Sequence, residues 1–90
     1  MTTVLVYHEI DDKEHWLGSP RREELLAPLG IKHRTFLDSQ NEHRAAVLFE
    51  VPDMAAFRSM MAAPATAEAM AGDGVRADTV VVLVEHGASA

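Results

Sequence analysis

The stretch IKHRTFLDSQNEHRAAVLFEV, residues 31–51, decides the fold. It reads as a two-stranded antiparallel ribbon. Ile31–Asp38 is one arm, Arg44–Val51 the other, and Ser39–His43 a polar connection rich in turn formers. Pairing Ile31 with Val51 puts Ile31/Val51, His33/Phe49, Thr35/Val47 and Leu37/Ala45 on one face. The other face then carries Lys32/Glu50, Arg34/Leu48, Phe36/Ala46 and Asp38/Arg44. Two of those are opposite-charge pairs directly across the strands, a favourable arrangement. A slip of one residue would turn every side chain of one strand to the other face, so the separation fixes the register. One face is apolar and needs cover; the other is mixed and partly charged.

N-terminal to the ribbon, Val4–Glu9 alternates Val4, Val6 and His8 with Leu5, Tyr7 and Glu9. Both sets are largely apolar, which suits an interior strand covered on both faces. Asp11 and Asp12 can cap a helix over Lys13–Leu17. Gly18-Ser19-Pro20 interrupts it, with Ser19 as a fresh cap and Pro20 at the first helical position. Arg21–Leu29 continues with Leu25, Leu26 and Leu29 as its apolar stripe, and Pro28 and Gly30 end it. C-terminal to the ribbon, Asp53 caps a helix on which Met54, Phe57 and Met61 form a core stripe. Pro64 breaks that helix, and Ala65–Ala71 resumes it. Gly72-Asp73-Gly74 is a turn. Asp78–His86, with Val80–Val84 continuously apolar, reads as a last strand buried on both sides. Gly87–Ala90 is expected to fray.

The order β-α-β-β-α-β is the split βαβ arrangement, of α+β class: a four-stranded antiparallel sheet with helices on one face. The first and last strands then leave apolar residues on the uncovered face. The expected patch of several hundred Å² is more than a small monomer usually exposes, and a second copy packed sheet to sheet is the simplest cover.

Composition bounds the function. Ninety residues make one domain, 1–90. A net charge of −6 argues against nucleic acid or an anionic membrane as partner. There is no cysteine, hence no disulfide or thiolate chemistry. Met1–Ile10 lacks the basic start of a signal peptide, and no apolar run is long enough to span a bilayer, so a cytoplasmic protein is expected.

The chain resembles the dimeric α/β-barrel superfamily, whose ferredoxin-like domains pair their sheets into a barrel. The resemblance is to its short bacterial members, similar to antibiotic-biosynthesis monooxygenases and small cyclases. It rests on His8 ending the first strand, Asp12 and Trp16 after it, Val51-Pro52-Asp53-Met54 leading into an Ala/Phe-rich helix, the break at Ala63-Pro64, and Gly74-Val75 before the last strand. It implies a homodimeric barrel. The superfamily holds oxygenases, haem-degrading enzymes, isomerases, cyclases and proteins without assigned activity, so fold alone does not choose among them.

The candidate catalytic residues are His8, Arg34 and Arg44. His8 is placed to act as a base, since an imidazole titrates near 6.5. A guanidinium can hold a carboxylate, phenolate or enolate by paired hydrogen bonds. Trp16, Phe36, Tyr7 and Asp12 are candidate ligand-binding residues, the aromatics as walls of an apolar pocket. Each has a plainer role: Trp16, Tyr7 and Phe36 as packing, Asp12 as a cap, the arginines paired with Asp38 and Glu50. His33 falls on the helix-facing side and His43 in the turn. The five histidines show no metal-ligand spacing, so no metal and no cofactor is expected. Two functions fit. One is a cofactor-independent monooxygenase, cyclase or isomerase acting on a small, flat, apolar carbonyl or polyketide-like compound. The other is a non-catalytic homodimer that binds a small molecule or serves as an accessory or scaffold.

Overall fold

A computed structural model describes Met1–Gly87. Of the tail expected to fray, Ala88–Ala90 lie outside the described residues, and Gly87 is an exposed bend. The order is β1 (Thr2–Glu9), α1 (Lys13–Gly18), α2 (Arg21–Leu26), β2 (Lys32–Asp38), β3 (Asn41–Val51), α3 (Met54–Ala62), α4 (Pro64–Gly72) and β4 (Val81–Val84). The strands form one antiparallel sheet in the order β2-β3-β1-β4. This is the ferredoxin-like split βαβ topology expected from the sequence.

The expected register holds from Lys32↔Glu50 to Leu37↔Ala45. It shifts between Leu37 and Asp38, where Asp38 pairs with Asn41 across the two-residue turn Ser39-Gln40. The connection is therefore shorter than Ser39–His43, and His43 lies in β3 rather than in a turn. The added residues continue β3 past its last pair with β1, Glu9 opposite Arg44, and the Ile10 N–H donates to the His43 carbonyl at 2.8 Å. Arg44 still reaches Asp38, at 3.5 Å.

Both helical crossovers are broken in two, and for the same reason. The residue before a proline is pushed out of the helical region. Ser19 sits at φ −72°, ψ 133° before Pro20, and Ala63 at φ −72°, ψ 142° before Pro64. Asp12 and Asp53 cap α1 and α3, each carboxylate accepting from two backbone N–H groups of the first turn. After α2 a single 3-10 turn, Ala27–Leu29, leads to Gly30 at φ 67°, a left-handed closure that favours glycine. Ser19 does not precede the helix directly as expected: Pro20 stands between it and Arg21.

The core lies between the sheet and the helices. Val4, Val6, Val47, Phe49 and Val51 come from the sheet, and Trp16, Leu26 and Phe57 from the helices. Phe57 meets Phe49 at a ring separation of 5.6 Å. Leu5, Ala46 and Leu48 on the opposite sheet face are half-buried, and Tyr7, Phe36 and Leu83 are exposed.

The last strand differs from expectation. Ala77–Thr79 coils into a 3-10 turn, and the Thr79 hydroxyl takes the Glu9 N–H at 2.8 Å. Extended pairing is thus confined to Val81–Val84. This strand is at the sheet edge, and Val82, Leu83 and Val84 are 43–49% exposed, so it is not buried on both sides.

Phe57→Ala is expected to lower stability by about 3–5 kcal/mol, and Asp53→Ala by about 1 kcal/mol. Urea unfolding measures both. A loss well below 1 kcal/mol at Phe57 would mean that α3 does not dock on Phe49.

Candidate functional site

Alternation along β1 turns His8 to the same side as Val4 and Val6, toward the helices. His8 is 5% exposed, opposite the small Ala45. Trp16, from α1, lies 1% exposed over the same end of the sheet. The imidazole meets its indole edge to face, with ring centres 5.6 Å apart and planes at 78°. Arg22, from α2, stacks its guanidinium 4.2 Å from the centre of the indole. Its Nη2 donates to the Trp16 carbonyl at 3.1 Å, so a cation sits at the C-terminal end of α1. The break at Ser19-Pro20 separates α2 from α1, and the first turn of α2 then presents Arg22 to the Trp16 ring.

These residues line a cavity of about 70 Å³ between sheet and helices. Its walls are mostly apolar: Val6, Leu25, Leu26, Val47, Met60, Met61 and Met70. Its polar lining is His8, Arg22, Thr66 and Asp73. Thr66 is committed, its hydroxyl donating to the Met60 carbonyl. Asp73 is buried and also committed. Its Oδ1 accepts from Ser19 Oγ at 2.6 Å and from Arg21 Nη1 at 2.8 Å. This clasp, with His15 Nε2 against the Gly72 carbonyl at 2.8 Å, ties α1 and α2 to the end of α4.

His8 Nδ1 and Arg22 Nε and Nη1 are buried and have no hydrogen-bond partner among the described residues. A buried polar atom without a partner costs roughly 1–3 kcal/mol, and native proteins hold few of them. All three belong to residues that line this one cavity. Burial holds the His8 imidazole below its ordinary 6.5; a backbone hydrogen bond at Glu9 acts against this, and the Arg22 charge adds to it. Burial also pulls Arg22 down, opposed by Asp73, but a guanidinium stays charged at any working pH. The cavity thus pairs a neutral imidazole with a permanent cation. Among the described residues no group of three or more His, Asp or Glu side chains is placed to hold a metal.

Of the residues singled out in the sequence, the structure brings His8 and Trp16 together in this cavity, and Tyr7, Phe36 and Arg44 together in a separate shallow groove away from it. Asp12 is exposed as the cap of α1, at the cavity's edge of the sheet but not in its lining. Tyr7, Phe36, Arg34 and Arg44 lie on the uncovered sheet face, because each pairs in register with a residue of that face. Arg34 stacks 5.9 Å from the Phe36 ring. The cavity is therefore formed within one chain, under the helices, and its arginine is Arg22. Neither Arg22 nor Asp73 was indicated by sequence. The break at Ser19-Pro20 was the one local sign that Arg22 could fold back over Trp16.

No family model matches the chain, and no curated protein matches it. Solved structures do. A dimeric ferredoxin-like protein of unknown function from Jannaschia sp. CCS1 is 17% identical, with 94% of this chain and 97% of that one covered and a TM-score of 0.67. A structure described as an antibiotic biosynthesis monooxygenase is 17% identical over 97% of this chain and 98% of its own, with a TM-score of 0.64. SnoaB, a cofactor-independent oxygenase from Streptomyces nogalater, is 11% identical over 93% and 86%, with a TM-score of 0.57. At these identities the likeness shows the ferredoxin-like fold. No helix is long and apolar enough to cross a membrane among the described residues.

The lowered His8 sets a pH dependence. The unfolded chain protonates this imidazole near 6.5, while the folded chain resists it. Below about pH 6.5 the unfolded state therefore binds more protons, and stability falls as pH falls. Above it both states are neutral there and the term vanishes. The stability of wild type relative to His8→Gln is expected to drop on acidification from pH 7 to 5, by at most about 1.4 kcal/mol per pH unit. Urea unfolding across that range measures it; parallel pH profiles for the two proteins would show that His8 titrates normally in the fold.

Proposed function

We propose that this chain is a cofactor-independent enzyme that deprotonates a small, flat, apolar carbonyl compound in the cavity beside Trp16. It works as a cytoplasmic homodimer of one 1–90 domain. The observation that carries this reading is the pairing of a buried, neutral His8 with a charged Arg22, both with unmet hydrogen-bonding atoms, in an otherwise apolar cavity. His8 is the base: it takes the proton from the carbon next to the carbonyl, and the C–H electron pair moves into the carbonyl to leave an enolate. Arg22 faces the oxygen on which that charge develops, in the surroundings where such stabilisation is largest. Trp16 is the wall. Oxygenation, cyclisation and double-bond isomerisation can all start from this one intermediate. The neighbours described as an antibiotic biosynthesis monooxygenase and a cofactor-independent oxygenase support the choice of chemistry.

Size narrows the substrate. About 70 Å³ is below the roughly 150 Å³ of an apolar cavity that takes up benzene and far below the roughly 300–1,000 Å³ of sites for drug-sized ligands, so one edge of a single ring enters it and the rest projects from its open mouth. A single-ring carbonyl compound therefore fits better than a polycyclic polyketide.

The second copy belongs on the uncovered sheet face. Tyr7, Phe36 and Leu83 are 40–49% exposed there around Leu5 and Leu48, an apolar surface beyond what a small monomer usually keeps wet. A neighbour described as dimeric supports this. Arg34 and Arg44 then rim the contact between copies, where they meet acidic groups of the same face.

Incubation with single-ring aryl ketones and β-dicarbonyls in D2O, followed by NMR, tests the chemistry. Wild type is expected to accelerate loss of the proton next to the carbonyl, and His8→Gln to slow that exchange by a factor of about 10²–10⁴. Equal exchange with the two proteins would remove His8 as the base. Sedimentation tests the assembly: wild type is expected at twice the chain mass at micromolar concentration, and Tyr7→Asp, at a position already 40% exposed, as a folded monomer. A wild-type monomer would overturn the dimer while leaving the cavity chemistry standing.

A further inference from the structure

We infer that the cavity takes its ligand as an anion, a single-ring or similarly small apolar compound whose carboxylate, phenolate or enolate oxygen meets Arg22. This rests on the reading of the cavity as a ligand site and goes further by fixing the ligand's charge. The argument is a charge balance inside one small space. Asp73 is the acidic group in the lining, but its Oδ1 already serves Ser19 and Arg21, with Arg21 at 2.8 Å. That pair neutralises itself. Arg22 has no carboxylate within ion-pairing distance among the described residues. Its contacts are the Trp16 carbonyl and the Trp16 ring, both neutral. Thr66 spends its hydroxyl proton on Met60, and His8 contributes no negative charge.

Arg22, half-buried at the cavity wall, therefore keeps a positive charge that Asp73 offsets only from beyond ion-pairing distance, with two buried N–H donors unmet. Buried charges are ordinarily paired, and an unpaired one is expensive. A neutral carbonyl would satisfy the donors but leave the charge. An anion satisfies both, and a carboxylate adds the two parallel N–H···O bonds that a guanidinium fork is shaped to make. His8 Nδ1 offers a third polar contact at the same wall.

Benzoate and benzamide test this, because they have the same ring and nearly the same shape but differ in charge. Neither carries an acidic C–H bond next to its carbonyl, so binding is read independently of any catalysis. Trp16 is the only tryptophan, and its emission reports on the cavity directly. Benzoate is expected to quench it and to bind at least about tenfold more tightly than benzamide. It should also shift the His8 ring resonances. In Arg22→Met the preference for benzoate is expected to disappear while benzamide binds as before. Equal affinities of benzoate and benzamide for wild type would overturn the inference, as would benzoate binding that leaves Trp16 emission and the His8 resonances unmoved. The wild-type comparison decides even if Arg22→Met does not fold. Benzoate selectivity with no proton exchange on any carbonyl compound would sustain the anion site and refute the enzymatic reading. Proton exchange without benzoate selectivity would do the reverse.

Discussion

The two-residue period of β1 governs everything that follows. Because Val4 and Val6 must face the helices, His8 must face them too, and a chain that buries its core also buries an imidazole. The residue opposite is Ala45, which fills little of the face beside the ring. The cavity lies between Val6, Val47 and Phe49 of the sheet and Leu25, Leu26 and Met60 of the helices, and part of its polar character comes from the residue that the alternation delivered there.

Trp16 converts that space into a site. Its indole carries His8 at one side and the Arg22 guanidinium over its face, so one rigid, buried side chain sets the position of both. A stacked guanidinium gains about 0.5–2 kcal/mol, less than the effective penalty of several kcal/mol for a fully buried ion, of which the half-buried Arg22 bears a part. The stack alone does not explain why Arg22 is inside. The Asp73 clasp does part of the remaining work, since it draws Ser19 and Arg21 to the end of α4 and so brings the next residue over the cavity. The position of Arg22 is imposed by its neighbours in the chain rather than by a partner of its own.

What could be read from the sequence divides along the same line. The hairpin register, the caps at Asp12 and Asp53 and the breaks before Pro20 and Pro64 are local, each decided by a few adjacent residues, and they were legible. So was the depth of Trp16. The meeting of Arg22 with His8 joins positions from separate elements, and no spacing rule encodes it. Arg34 and Arg44 drew attention because they stand on a strand with a clear pattern, yet that same pattern places them on the face opposite His8. Val80–Val84 misled in a different way. A continuous apolar run looks the same whether the strand is covered by its own chain or lies at an edge, and here β4 is an edge.

The two faces of the sheet therefore carry separate demands. The helix-covered face holds the unmet buried polar atoms and can be complete within one chain. The open face carries Leu5, Tyr7, Phe36 and Leu83, with no unmet buried polar atom among them. Substitutions on the open face act on association first, and reach the cavity only through β1 and β3, whose alternate residues serve both sides. Tyr7 and His8 are adjacent and point opposite ways. A change that twists β1 at Tyr7 alters the angle at which His8 meets Trp16. Coupling between assembly and chemistry, where it exists, has to pass through that one strand.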